Sequence, residues 1–228
     1  VNRFAQSSGT SNGKSKYIPI TDDALHRCHY KGAGDAVAHY LSLYPGSRMF
    51  SGKGFILGGS FANEVKDLRR NAMVGDLSAH LIDKVNPLVN MVRVPSKNIA
   101  LMEEWDKKLP ALVVASMCEN ITNLSGVPSW FLTVLRMVIA RVGVTTIHEV
   151  WPNLEVFFHG GISFEPYREQ YKSITDTSKM RYIETYNASE GFFAIQNAID
   201  DRAMLLLLDV GVFYEFMPLD ELDNPNPQ

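Results

Sequence analysis

The chain has 228 residues, 46% hydrophobic and 21% charged, which is enough for one large domain with a sizeable core and too apolar for disorder beyond the two ends. A net charge of −3, with lysines and arginines scattered singly or in pairs, excludes the electrostatic footprint of a nucleic-acid binder. Two cysteines, Cys28 and Cys118, exclude a disulfide framework and indicate a reducing compartment, by default the cytoplasm. No run reaches the ~18 uninterrupted apolar residues of a membrane span. The nearest, Trp130 to Val144, is broken by Arg136 and Arg141, and Val1-Asn2-Arg3-Phe4 is not a signal peptide.

Phe4 to Gln6 reads as the end of a strand that delivers the loop Gln6 to Lys16. Thr21, followed by Asp22 and Asp23, starts a helix running to about Tyr44, before Pro45. Gly32 and Gly34 inside it weaken the helix or mark close packing. Lys53 to Leu57 is a short strand, Gly58-Gly59-Ser60 a turn, and Phe61 to Asp76 a loop without period. Helical signals run from Leu77 to Val92, broken near Pro87, and from Asn98 to Cys118, with Pro110 as a kink or boundary. Ile121 to Leu124 reads as a buried strand, and Ser129 as the cap of a helix whose Phe131, Leu132, Leu135, Val138 and Ile139 recur at helical spacing. After Gly143 come a short helical stretch, a strand from Leu154 to His159 and a helix from about Phe164 to Ile174. Four β-rich runs follow: Arg181 to Tyr186, Phe192 to Gln196, Met204 to Leu208 and Val212 to Met217. Helices alternating with strands early and strands crowding late define an α/β domain with some antiparallel sheet. Asp220 to Gln228 is polar and Pro-rich, a disordered tail or linker.

Three segments carry chemistry. In the opening loop the hydroxyls of Ser7, Ser8, Thr10 and Ser11, the backbone freed by Gly9 and Gly13, and the charges of Lys14 and Lys16 are what a triphosphate needs. It is not a Walker A loop, which needs four residues between its glycines where this loop has three. In His159-Gly160-Gly161 the glycine pair follows a strand ending at His159, where open α/β sheets bind ligands and a flat base can approach the backbone. Tyr186 to Glu190 has the same strand-end placement, with an aromatic to stack on a base and a carboxylate for a divalent ion. His26, Cys28 and His29 do not make a metal site, because on a helix Cys28 points away from the two histidines. There is no Gly-x-Ser-x-Gly elbow for a serine hydrolase.

In this order the segments resemble the adenylate-forming superfamily, and more closely the auxin-responsive promoter protein family of acyl-acid amido synthetases. Ser7-Ser8-Gly9-Thr10-Ser11-x-Gly13-Lys14-x-Lys16 is similar to that family's first ATP motif and Tyr186-x-x-Ser189-Glu190-Gly191 to its second. Ser125 to Trp130, Trp151-Pro152-Asn153 and Phe213 to Pro218 are supporting matches. The resemblance implies an α/β fold of mixed sheets with flanking helices, part of the large adenylate-forming domain. It implies that Ser7, Ser8, Thr10 and Lys14 hold the ATP phosphates within a loop completed by Gly9, Ser11 and Gly13. Gly160 and Gly161 would border the adenine, Tyr186 lie against its ring, Ser189 stand near the α-phosphate and Glu190 hold Mg2+. Val127, Trp130, Phe131 and Val134 would wall the acid pocket. The implied reaction is attack of a small carboxylic acid on the α-phosphorus of ATP, then displacement of AMP by an amino acid. The family's third ATP motif and smaller C-terminal domain are not in this sequence. Residues 1–219 are therefore expected to be a partial adenylation domain that needs that C-terminal domain and turns over poorly alone. Acyl-CoA ligase chemistry, with a thiol acceptor, and a non-catalytic nucleotide-binding or interaction module are the alternatives.

Overall fold

The computed structural model describes residues 1–7, 16–61, 72–199, 201–222 and 224. Ten strands form two sheets among the described residues. The smaller contains β1 (Arg3–Ser7), β2 (Lys16–Pro19) and β4 (Met73–Gly75), in the order β2-β1-β4. The larger adds β3 (Lys53–Ile56), β5 (Arg93–Val94), β6 (Ile121–Gly126), β7 (Val156–Gly160), β8 (Arg181–Ala188), β9 (Gly191–Gln196) and β10 (Met204–Leu206). Its order is β10-β9-β8-β7-β6-β3-β5. Strands β5, β3, β6, β7 and β8 run parallel, and β9 and β10 return antiparallel. The expected α/β class with an antiparallel C-terminal portion is therefore the observed one.

Helices cover both faces of the large sheet, as parallel strands require. On one face lie α5 (Trp105–Met117), α6 (Pro128–Val142) and α7 (Arg168–Lys172); Phe55, Leu124 and Phe157 pack there against Phe131, Leu135 and Tyr171. Phe131 meets Phe55 and Phe157 edge-on at 5.3 and 5.1 Å. Trp151, fully buried in this core, donates its indole N–H to the Ser116 carbonyl at 3.0 Å, while Pro152 and Asn153 beside it are exposed. Large side chains buried this way each stabilise the fold by about 1.5–3 kcal/mol. On the other face α1 (Lys31–Leu43) buries Ala36 and Tyr40, and Tyr40 meets Phe158 edge-on.

The first long helix begins as expected: Thr21 Oγ accepts from the Ala24 N–H at 3.0 Å. Its first stretch, Ala24–Tyr30, is π-helical before α1 continues it. A Cβ on Gly32 would lie 2.6 Å from the Phe192 ring, so this glycine is a packing contact with β9, whereas Gly34 meets nothing within 4 Å. Pro87 separates α2 (Leu77–Lys84) from α3 (Pro87–Met91). The next helical region splits at Leu101 to Glu104, between α4 (Lys97–Ala100) and α5, and Pro110 lies inside α5 instead of bounding it.

Four expectations are corrected. Phe61 to Asp76 contains strand β4, with Phe61 bridged to Gly75; residues 62–71 lie outside the described set. Ser129 does not cap α6, because Pro128, with its fixed φ and no N–H, takes the first helical position and Val127 is the extended residue before it. The stretch Phe164 to Ile174 is a 3₁₀ turn, Glu165–Tyr167, followed by the short α7. Val212 to Met217 is no strand: Tyr214 donates to the Leu207 carbonyl at 3.0 Å while Phe213 and Phe216 face solvent. Within the expected tail, Leu219–Glu221 forms a 3₁₀ turn, and residues 223 and 225–228 lie outside the described set.

Candidate active site

A cavity of about 810 Å³ opens at the carboxyl ends of β3, β6, β7 and β8, and Gln6, Ser7 and Lys16 of the small sheet also line it. Ligands bind at this edge of parallel sheets because the connections there diverge and leave backbone groups free. Gly160 and Gly161 form part of its floor. A side chain on Gly160 would strike the Thr185 carbonyl of β8 at 2.3 Å, and Gly161 has φ +81°, so both positions demand glycine. The β8–β9 hairpin brings Tyr186, Ser189 and Glu190 to the rim. Tyr186 is 55% exposed, with one side braced by Phe193 at 5.2 Å, leaving ring surface open for stacking. Among the described residues, Glu190 has no hydrogen-bond or ion-pair partner.

The other candidates divide. Ser7 lines the cavity from the end of β1; Ser8, Gly9, Thr10, Ser11, Gly13 and Lys14 lie outside the described residues. Val127 and Trp130 line it from the start of α6, Trp130 with its ring 6.0 Å from Trp105. Phe131 and Val134, one turn further on, are fully buried in the core beneath.

Several residues of the site carry roles that the sequence did not assign, including Asn187 and His159 within the chemical segments. Asn187 accepts on Oδ1 from the Nδ1–H of His29 at 3.0 Å, and His29 is a buried residue of the π-helical stretch. Burial is the main cause that lowers the His29 pKa, with the Asn187 bond acting the other way. Cys28 accepts from the Phe192 N–H at 3.2 Å, so the histidine–cysteine run of this helix braces the hairpin. Asp76 and Ser78, also in the lining, fix the turn after β3: Ser78 Oγ accepts from the Gly59 N–H at 2.8 Å and Asp76 from the Ser60 N–H at 3.1 Å. Lys108 reaches the same turn from α5, donating to the Gly58 carbonyl at 2.7 Å, and burial lowers its pKa. His159, the last residue before the glycine pair, is 2% exposed, and burial, seconded by the charge of Arg168, pushes its pKa down to about 3.

No helix among the described residues is long and apolar enough to cross a membrane, and no group of three metal-binding side chains occurs among them.

The fold is one it shares with acyl acid amido synthetases. The GH3.15 acyl acid amido synthetase superposes with a TM-score of 0.61 at 15% identity, covering 86% of this chain and 42% of its own. AtGH3.15 acyl acid amido synthetase in complex with 2,4-DB gives 0.65 at 13% identity, covering 88% and 43%. The architecture is thus the one found in those synthetases. The model of the GH3 family N-terminal domain matches residues 1–180, and the chain belongs to the GH3 family, the auxin-responsive family that its motifs resemble. It spans less than half the length of those two structures. No protein of curated function matches it in sequence.

Proposed function

We propose that this chain supplies the ATP- and acid-binding part of a ligase that activates a carboxylic acid as its acyl-adenylate and joins it to an amino acid through an amide bond. The observation that carries this reading is the convergence of Ser7, Val127, Trp130, the Gly160–Gly161 pair, Tyr186, Ser189 and Glu190 on one cavity. Family membership and the amido synthetases that share the fold support it. Residues 1–219 are read as one partial adenylation domain, completed by a C-terminal domain of the same protein.

In this reading the adenine lies over Gly160 and Gly161 with Tyr186 against its face. Ser7, with Ser8, Thr10 and Lys14, donates to the phosphate oxygens, and Ser189 donates near the α-phosphate. A substrate carboxylate oxygen attacks the α-phosphorus, forming the acyl-phosphate bond and expelling pyrophosphate. The amine of the amino acid then attacks the acyl carbon, and AMP leaves with the former carboxylate oxygen. Such chemistry is mostly positioning and charge neutralisation, so donors and a cation serve it better than a strong nucleophile. Glu190 fits Mg2+, because a rim carboxylate with no partner among the described residues matches an ion bound by one or two carboxylates together with phosphate oxygens. When bound, Mg2+ offsets the negative charge of the triphosphate.

Melting of the chain with and without Mg-ATP tests the nucleotide site. Ligand at a hundred times its dissociation constant stabilises by about 2.7 kcal/mol, roughly 5 to 11 °C for a domain of this size. The expected outcome is a shift of that order that is lost in Ser7→Ala/Ser8→Ala. A shift that the double variant retains would remove the phosphate-binding role from the opening loop.

A further inference from the structure

We propose that His159 binds the carboxylate of the acid substrate through an uncharged ring N–H. The inference deepens the proposed function and rests on it. Its starting point is an anomaly: His159 is 98% buried, and its Nδ1 has no hydrogen-bond partner among the described residues. A buried polar atom left unpaired costs about 1–3 kcal/mol, so such atoms survive where a ligand or water completes them.

The fold sets this ring in the wall of the cavity. His159 is the register partner of Gly126 on β6 and of Glu184 on β8, and all three line the cavity. Strand alternation puts His159 on the same face as Phe157, which packs on Phe131 of α6. That is the side on which Val127 and Trp130 begin the proposed acid wall. The ring is held by stacking on Phe164 at 4.3 Å and 22°, and Phe164 is capped in turn by the Arg168 guanidinium at 5.3 Å. Its backbone is pinned as well, since the His159 carbonyl accepts from Thr185 Oγ at 3.1 Å.

The chemistry suits a nucleophilic carboxylate. A cationic donor would hold the acid tightly but draw away the charge that must attack phosphorus. An imidazole whose pKa is about 3 stays uncharged at neutral pH and is a weaker acid donor than a cation, so it orients the carboxylate without protonating it.

The test uses the full-length protein with acetate, phenylacetate, benzoate, indole-3-acetate and decanoate as probes, reading acid-dependent pyrophosphate release. Absence of release with every probe, together with no Mg-ATP melting shift, would overturn the proposed function and this inference with it. With the best probe, His159→Phe keeps the stack on Phe164 and removes both nitrogens. The expected result is a rise in KM for the acid of about 10- to 100-fold, the size of one lost hydrogen bond to a charged group. KM for ATP should stay within about twofold, and His159→Gln should recover part of the loss. A variant that melts like the parent with KM for the acid unchanged would overturn the proposal in favour of a bound water. A rise confined to KM for ATP would overturn it in favour of a nucleotide contact. Because His159→Phe could fail to fold, the 15N signals of the histidine ring in the parent protein give a second arm. They should move on addition of the best probe, and an unmoved His159 signal would also overturn the proposal.

Discussion

At the scale of single residues, the chain spends its most restrictive positions around the cavity. Gly160 and Gly161 could be read from sequence because a glycine pair after an apolar run is a local signal. The bond between His29 and Asn187 could not, since the two are 158 positions apart and nothing local marks them as partners. His159 was likewise invisible as an anomaly: its missing partner is a fact of packing, not of spacing. Gly32 shows how a local weakness becomes a tertiary requirement. Its Cβ would sit 2.6–2.8 Å from the Phe192 side chain, so Gly32→Ala should destabilise by about 1–3 kcal/mol despite the better helix propensity of alanine. Urea unfolding would show this as a lower midpoint. A midpoint equal to or above that of the parent would show that the helix and β9 can part without cost.

Among elements, those with a strong period or a clear stop were legible: the helix ending before Pro45, the break at Pro87, and the strands β6 through β10. The misread ones were decided by backbone chemistry or by remote partners. Pro128 moved the start of α6 ahead of Ser129, and β4 exists because β1 offers it a parallel edge, with Arg3 opposite Met73. Pro110 is the opposite case, a proline retained within an α-helix because the helix is held by Leu112 and Val113 in the core. It leaves the Asp106 carbonyl without its helical N–H partner, and its side chain is exposed. Pro110→Ala should therefore stabilise the protein, by about 1–3 kcal/mol, visible as a higher melting temperature. A decrease would mean that the ring supports contacts of its own. The exposed run Phe213 to Phe216 misled for a plainer reason: alternating aromatics mimic a strand, yet no edge pairs with them.

The molecule as a whole should lose stability in acid because it buries four of its six histidines. His29, His80, His148 and His159 are all buried, and burial is the leading cause lowering the pKa of each. In the unfolded chain they titrate near 6.5. Below that value the unfolded state takes up protons that the folded state refuses, so folding stability falls as pH falls. Above it the folded state carries no such penalty. For His159 the window runs from about 6.5 down to about 3, and the loss approaches ~1.4 kcal/mol per pH unit within it. Urea midpoints should therefore decline from pH 7.5 to pH 5, and less steeply in His159→Phe. A pH-independent midpoint would contradict the burial of these rings. The fold class was legible at this scale because the alternation of helices and strands is a property of the whole sequence; the site was only partly so, because lining residues such as Asp76, Ser78 and Asn187 take their roles from remote partners.

The strand order has one more consequence, for the chain as it is made. From β3 onward the neighbours β6, β7, β8, β9 and β10 stand in the sheet in the order of their synthesis, and β5 alone joins from the opposite edge. Each strand leaving the ribosome thus meets an edge already formed by its predecessor, so the sheet can lengthen in one direction without reopening any pair. The hairpin that carries Tyr186 and Glu190 follows β7 in this order. A nascent chain stalled before it would hold much of the core with an unfinished cavity, and under the proposed function it should bind no nucleotide until the turn after β8 has been translated.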